Sequence, residues 1–389
     1  MSRLPRVSCA VLTALVVLGV ALACKRRASP PAPLIAPSAA ACDAWGRRVE
    51  RSLAVGDASF MLHSIDYDQL GKRVLVGVTL PKGDRQRQER AFLAGLRSEM
   101  RALPEELVRQ NAAGASYRYL RVKHRRGQAV VLFRMLDERG RVNYHEWLMT
   151  VVGGTARAVD MYGYVGGQYV SDMMRPLIAQ GFGSGLPDGS LRGIQRVTSH
   201  YQRQQWDQTL QAIRRLPPEV QQTKMIMLMR IGAAQNVSDA AYRQALEDYA
   251  ASFGEDASAA LVTLDHSFLQ QRYDECLKKL DILERDLGAD GHLYCLRANV
   301  WLEKGDLRQA RDSALRAAQA EPELKEAWWA QLRVSLRASD DAETARLLAH
   351  MEQGLGIEIG DISKIAGYQG FVQSPEYRQW QASRRSPGQ

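Results

Sequence analysis

The chain has 389 residues and a net charge of +9, with 46% hydrophobic and 24% charged residues. That composition leaves room for two folded domains and excludes a largely disordered chain. The excess charge is arginine spread along the sequence without an aromatic–basic motif, and the five cysteines have no ligand spacing; nucleic-acid binding, a disulfide framework and a zinc module are excluded on those grounds.

Arg3 and Arg6 precede an apolar run from Ala10 to Ala23, 14 residues long. It suits a signal peptide over 1–23 and is short for a membrane span. The run ends Ala21-Leu22-Ala23-Cys24. Small residues before a cysteine resemble the bacterial lipobox, in which the cysteine is lipidated and becomes the new N-terminus. Ala21 departs from it, since leucine is more usual there. Ala21 and Ala23 also suit ordinary signal peptidase, so a soluble secreted form and an uncleaved anchor stand as alternatives. The resemblance implies a lipid on Cys24 and a place in the bacterial cell envelope. Residues 24–41 then read as a tether: Lys25-Arg26-Arg27 suits acidic head groups, and SPPAPLIAPSAAA cannot form a core. Lys25 is not the acidic residue that marks inner-membrane retention in some bacteria, which favours the outer membrane.

Residues 42–186 predict an α+β domain. AWGRRVERSLAVGD and ASFMLHSIDYDQLGKRVL read as helices, and Asp84 to Gln110 as one long helix that Pro104 kinks. The period then drops to two. Tyr117–Lys123, Ala129–Leu136, Tyr144–Val151 and Ala156–Val165 predict four strands joined by glycine turns, an antiparallel meander closed by a helix over Asp172–Gln180. Helices followed by a curved sheet resemble the cone-shaped nuclear-transport-factor-like and cystatin-like folds. Tyr144, His145, Glu146, Asp160 and Tyr162 are the candidates for acid–base chemistry here. Alternation places His145 opposite Tyr144 and Glu146, which argues for structural roles. His124, within Lys123-His124-Arg125-Arg126, reads as a solvated hairpin tip. The glycine-rich stretch Gly181–Gly189 lacks phosphate-loop spacing and reads as a linker.

Beyond it the pattern is helical to about residue 355. Asp290–Lys325 holds two helices split at Gly305-Asp306, with Tyr294, Ala298 and Trp301 on the first and Ala310, Ala314 and Ala317 on the second. Small residues let two helices cross closely, and Pro322 ends the pattern. Tyr294, Ala298, Trp301, Gly305, Ala310, Ala317 and Pro322 fall at the places of a tetratricopeptide repeat, which this stretch resembles; Arg297 stands where that family has an aliphatic residue. Second helices start near 205, 238, 272, 306 and 340, a step of 33 or 34, so about five helical hairpins are expected within 187–355.

The resemblance implies that the first helix of each pair lines an inner face that binds a protein or peptide partner. Carried over, the inward positions are Asp265 and Phe268, Asn299 and Leu302, then Trp329, Arg333 and Leu336. Asp265, Asn299 and Arg333 would form a polar row, with Trp329 and Phe268 as apolar anchors and a carboxylate-bearing segment as guest. A solvated row whose charges satisfy each other is the equal alternative. Met225–Met229 reads as a buried helix before a methionine docking surface. Cys276 and Cys295 read as buried thiols, with a bridge as the alternative. Residues 356–389 predict a cap, with Ile357, Ile359, Ile362, Ile365, Phe371, Tyr377 and Trp380 covering the end of the array.

The expectation is an α+β domain followed by an all-α solenoid, in a lipid-anchored scaffold or adaptor without cofactor or metal, not an enzyme. The alternative is a ligand-binding or catalytic α+β domain, with the repeats recruiting its partner or substrate.

Overall fold

The computed structural model describes residues 34–78, 85–138, 140–181, 190–253 and 256–385. The leader, Cys24 and most of the expected linker lie outside them. The described residues divide into two compact units, one up to His266 and one from Ser267.

The first unit opens with a segment expected to be free tether. Instead, Leu34 packs on Val130, Leu148 and Val159 of the sheet described below, and Thr150 Oγ1 accepts from the Ile35 N–H at 3.0 Å. Ser38 then caps α1 (Ala39–Ala54), accepting from the Ala41 N–H. The next stretch is two helices rather than one. Helix α2 (Ser59–Ser64) stops because Ile65 is extended and bridges to Ala158, and Asp66 caps α3 (Tyr67–Val74). The long helix is also broken, into α4 (Arg85–Met100) and α5 (Ala102–Ala112). Pro104 falls in the first turn of α5, where backbone N–H groups have no intrahelical acceptor; in a continuous helix its ring would strike the Met100 carbonyl.

Five strands follow as an antiparallel meander: β1 (Ser116–Arg125), β2 (Gln128–Leu136), β3 (Val142–Val152), β4 (Thr155–Gly163) and β5 (Gln168–Tyr169). The β1–β2 and β3–β4 loops are two residues each. Arg126 and Gly127, like Gly153 and Gly154, take positive φ at both places, the turn that matches strand twist. One face packs on the helices through Tyr117, Phe133, Trp147, Trp45 and Leu96. Gly46 permits that approach, since a Cβ there would lie 2.5 Å from the Tyr119 ring. Helix α6 (Val170–Gly181) closes the α+β part.

Helices α7 (Ser190–Gln202), α8 (Trp206–Arg214), α9 (Pro218–Gln221), α10 (Lys224–Ala234) and α11 (Asp239–Phe253) complete this unit, which ends within α12 (Ala257–Leu269). The methionine run is buried: Ile226 and Met229 pack on Ile194, Val197 and Ile213. Gly167, at the β4–β5 turn, lies against α10 and α12; a Cβ there would meet Lys224 Nζ at 2.1 Å and Ser258 Oγ at 2.2 Å.

The second unit holds α13 (Tyr273–Leu287), α14 (Gly291–Lys304), α15 (Leu307–Ala320), α16 (Lys325–Arg337), α17 (Asp341–Leu355), α18 (Gln369–Gln373) and α19 (Pro375–Arg385). Ala310, Ala314 and Ala317 are fully buried along α15, as close helix crossing requires. The C-terminal segment covers α16 and α17: Ile359, Ile362, Phe371, Tyr377 and Trp380 form one core with Leu332, Leu347 and Met351. Ile365 departs from the expected cap and is 47% exposed. Cys276 and Cys295 are free, buried thiols.

Candidate functional site

One turn geometry recurs in the helical part. Gln204, Gln271, Gly305 and Ser339 take φ of 56°, 59°, 91° and 52°. In each case the following N–H reaches back five residues: Gln205 to His200, Arg272 to Ser267, Asp306 to Trp301 and Asp340 to Ser335, at 2.9–3.0 Å. This is the left-handed helix stop, with its characteristic long-reach hydrogen bond. Helices α11, α13, α15 and α17 begin at 239, 273, 307 and 341, equal steps of one 34-residue period. Asp306 and Asp340 cap their helices through side-chain oxygen; Gln205 and Arg272 make no such bond.

That period brings Asn299 on α14 and Arg333 on α16 together. Arg333 Nη2 and Nε donate to Asn299 Oδ1 at 2.8 and 3.2 Å. Among the described residues no carboxylate stands within ion-pair distance of Arg333, and burial lowers its guanidinium from the ordinary value. Burial raises the Tyr368 hydroxyl, opposed by the nearby Arg333 charge. Trp329 and Leu336 are half-buried and, like Tyr368, pack against the C-terminal core. The surface around Arg333 is therefore part helix pair and part C-terminal segment. The sequence reading missed Tyr368, because no period links it to α16.

The other expected partner-binding residues offer little surface. Phe268 is 8% exposed and meets the Tyr273 ring edge-on at 6.0 Å, so it is a packing residue and not an exposed anchor. Leu302 is equally buried. Asp265 is buried in the first unit, 3.4 Å from the Tyr242 hydroxyl.

The sheet candidates separate as alternation requires. His145 faces the helices, where its Nδ1 lies 3.2 Å from the Tyr117 hydroxyl and its Nε2 lies 3.1 Å from Asn143 Nδ2. The Trp147 indole also donates to Tyr117, at 2.8 Å. Complete burial pushes the His145 imidazole down to about 4, so it is neutral at ordinary pH. Glu146 is 0% exposed on the opposite face. It meets Lys123 Nζ at 2.7 Å, the Arg125 guanidinium and the Tyr164 hydroxyl at 2.9 Å. Lys123 and Arg125 thus turn inward from the hairpin tip, and only His124 between them is exposed, as strand alternation dictates. Asp160 accepts from Arg73 Nε at 2.9 Å and Ser171 Oγ at 2.6 Å; burial nonetheless raises its carboxyl. Tyr162 lies under the Arg125 guanidinium, 4.8 Å from ring centre to Cζ. These groups are bound to one another, and His145 shares no site with Glu146.

Among the described residues no cluster of His, Cys, Asp and Glu could hold a metal ion, and no helix is long and apolar enough to cross a membrane. No protein-family model, curated protein or solved structure matches this chain.

Proposed function

We propose that this chain is a lipid-anchored scaffold or adaptor of the bacterial envelope whose helix pairs are tetratricopeptide-like repeats that bind a protein or peptide partner. One observation carries the reading: Asn299 and Arg333, one period apart, form a joined polar surface whose guanidinium makes no direct ion pair among the described residues, Glu326 acting on it only at longer range. A guest segment bearing a carboxylate supplies the missing charge, because a guanidinium binds it with two parallel hydrogen bonds. Trp329 and Tyr368 give that segment aromatic walls. The turn shared by Gln271, Gly305 and Ser339 at 34-residue steps supports the repeat assignment, since each hairpin buries its small-residue face only against a neighbour. The leader supports the anchor: a short apolar run ending at Cys24 beside three basic residues, Lys25 to Arg27. A ligand-binding sheet draws less support, because Glu146, His145 and Asp160 already have partners inside the fold.

The test is affinity capture with the full chain from detergent-solubilised envelope, using Asn299→Ala/Arg333→Ala as control. A protein recovered by wild type and lost by the variant supports a partner on this face, provided both melt at similar temperature. Equal recovery would remove Asn299 and Arg333 from the function. Cys24→Ser addresses the anchor separately: the variant should leave the membrane fraction, and continued partition there would overturn lipid anchoring.

A further inference from the structure

The docked segment limits how far the first unit can stand from a lipid on Cys24. Ten residue steps join Cys24 to Leu34, so the two lie at most about 36 Å apart. Leu34 packs on Val130, Leu148 and Val159, and the Ile35 carbonyl accepts from the Val151 N–H at 2.9 Å. The anchor therefore pulls on one end of the sheet. Alternate turns of an antiparallel meander share an end, so the β1–β2 turn at Arg126-Gly127 and the β3–β4 turn at Gly153-Gly154 both lie there. The start of β1 lies at the other. Strand β1 has ten residues, which separates the two ends by about 33 Å.

The near end carries one sign of charge. Residues 116–136 and 147–159, which supply both turns, contain no aspartate or glutamate. The buried Glu146 answers Lys123 and Arg125. Arg126 and Arg157 stand outside that cluster, and neither makes an ion pair among the described residues. Arg157 donates to the neutral His63 carbonyl, and it pairs in register with Thr150, which holds Ile35. Arg126 is exposed and takes a φ of 51°, where asparagine before glycine fits with less strain. The turn itself gains nothing from the arginine. Ile35, apolar and 64% exposed, completes this end. A bilayer with acidic head groups offers what these residues lack: negative charge spread over an area, with apolar depth beneath it. The short chain to Cys24 keeps that surface within reach. We propose that in the lipidated chain, and so resting on the anchor at Cys24, this end of the sheet lies on the acidic head groups of the bilayer, with Arg126 and Arg157 toward the phosphates and Ile35 at the interface.

The test uses the full chain with its lipid, the modified Cys24 being read from its mass. It is placed in phosphatidylcholine vesicles, with or without phosphatidylglycerol, that carry a rhodamine head-group lipid. A donor dye is attached at Thr155→Cys, at the near end, or at Ala113→Cys, before β1 at the far end. Both positions are exposed, and the cysteines among the described residues are buried. In acidic vesicles, energy transfer should be stronger from Thr155→Cys than from Ala113→Cys, and neutral vesicles should narrow the difference. Arg126→Asn, which suits the turn, should lower the ratio of docked to undocked chains about fivefold in acidic vesicles and change nothing in neutral ones. Equal transfer from the two positions, a difference indifferent to phosphatidylglycerol, or an undiminished difference in Arg126→Asn would each overturn the proposal and leave the anchor standing. A chain without lipid on Cys24 would overturn both.

Discussion

The sheet of the first unit and the helix pairs of the second bury polar groups in different ways. In the sheet, Glu146 is held by Lys123, Arg125 and Tyr164, and Asp160 by Arg73 and Ser171; these partners are separated by 11 to 87 residues with no common interval. In the helical unit the tertiary polar bonds come in two ranges: short ones between adjacent helices, as Arg297 to Asp281 and Glu284, 16 and 13 residues apart, and longer ones near one period. Asn299 to Arg333 spans 34 residues, Asp274 to Lys304 spans 30, and Arg311 to Asp340 spans 29. A sheet face is a two-dimensional neighbourhood whose occupants are set by loops and edges. Helices that begin at equal intervals bring residues one interval apart together, so the longer-range polar partners follow the helix spacing.

The contrast can be broken most forcefully at Glu146. Glu146→Gln keeps the shape of the side chain and removes its charge, taking from Lys123 and Arg125 the buried carboxylate that they share. Breaking a buried ion pair from one side costs about 3–5 kcal/mol. Urea unfolding of the full chain should show a loss of that size in the first transition. The exposed pair Arg346–Glu343 is a surface control worth less than about 1 kcal/mol when broken by Glu343→Gln. Similar small losses at both sites would mean that the sheet cluster is no more than a solvated charge group.

His145 sharpens the point through pH. Its folded value of about 4 lies below the ordinary value near 6.5, so the fold binds the neutral ring. Its stabilising contribution is complete above about pH 6.5. It declines as pH falls through that value and levels off below about 4, a total on the order of 3 kcal/mol. Asp160, raised by burial, acts in the opposite sense over acidic pH. The measurement is therefore the difference in unfolding free energy between wild type and His145→Gln across that range. It should shrink on acidification; a difference independent of pH would mean that His145 is solvated.

The same contrast explains what was legible in the sequence. The second helices were expected near 205, 238, 272, 306 and 340, and they begin at 206, 239, 273, 307 and 341. Repetition reinforced each weak signal. The strands were legible from alternation, as were the opposed faces of His145 and Glu146. Strand β5 was not, because Gln168–Tyr169 is too short to show a period. Nor were the partners of Glu146, since alternation gives a face and never a neighbour. Leu34 and Ile35 looked like tether because their docking depends on Thr150, more than a hundred residues away. Asn299–Arg333 was legible as a row but not as a bond, and Tyr368 beside it was hidden in an aperiodic segment.

The smallest effect tests whether the turns of the second unit are equivalent. Gly305, Gln271 and Ser339 share the left-handed conformation and the same backbone bond, yet only one is glycine. A Cβ at Gly305 meets nothing within 4 Å, so Gly305→Ser incurs only the backbone penalty of positive φ, about 1 kcal/mol. Ser339 is exposed, and its side chain makes no hydrogen bond among the described residues. Ser339→Gly removes the same penalty and should raise stability by a similar amount, as should Gln271→Gly. Opposite shifts of equal size in the melting of the helical unit would make the three turns one device in three places. A loss at Gly305 with no gain at Ser339 would mean that the surroundings of each turn set its energy. The 34-residue interval would then be a regularity of spacing without a matching regularity of energetics.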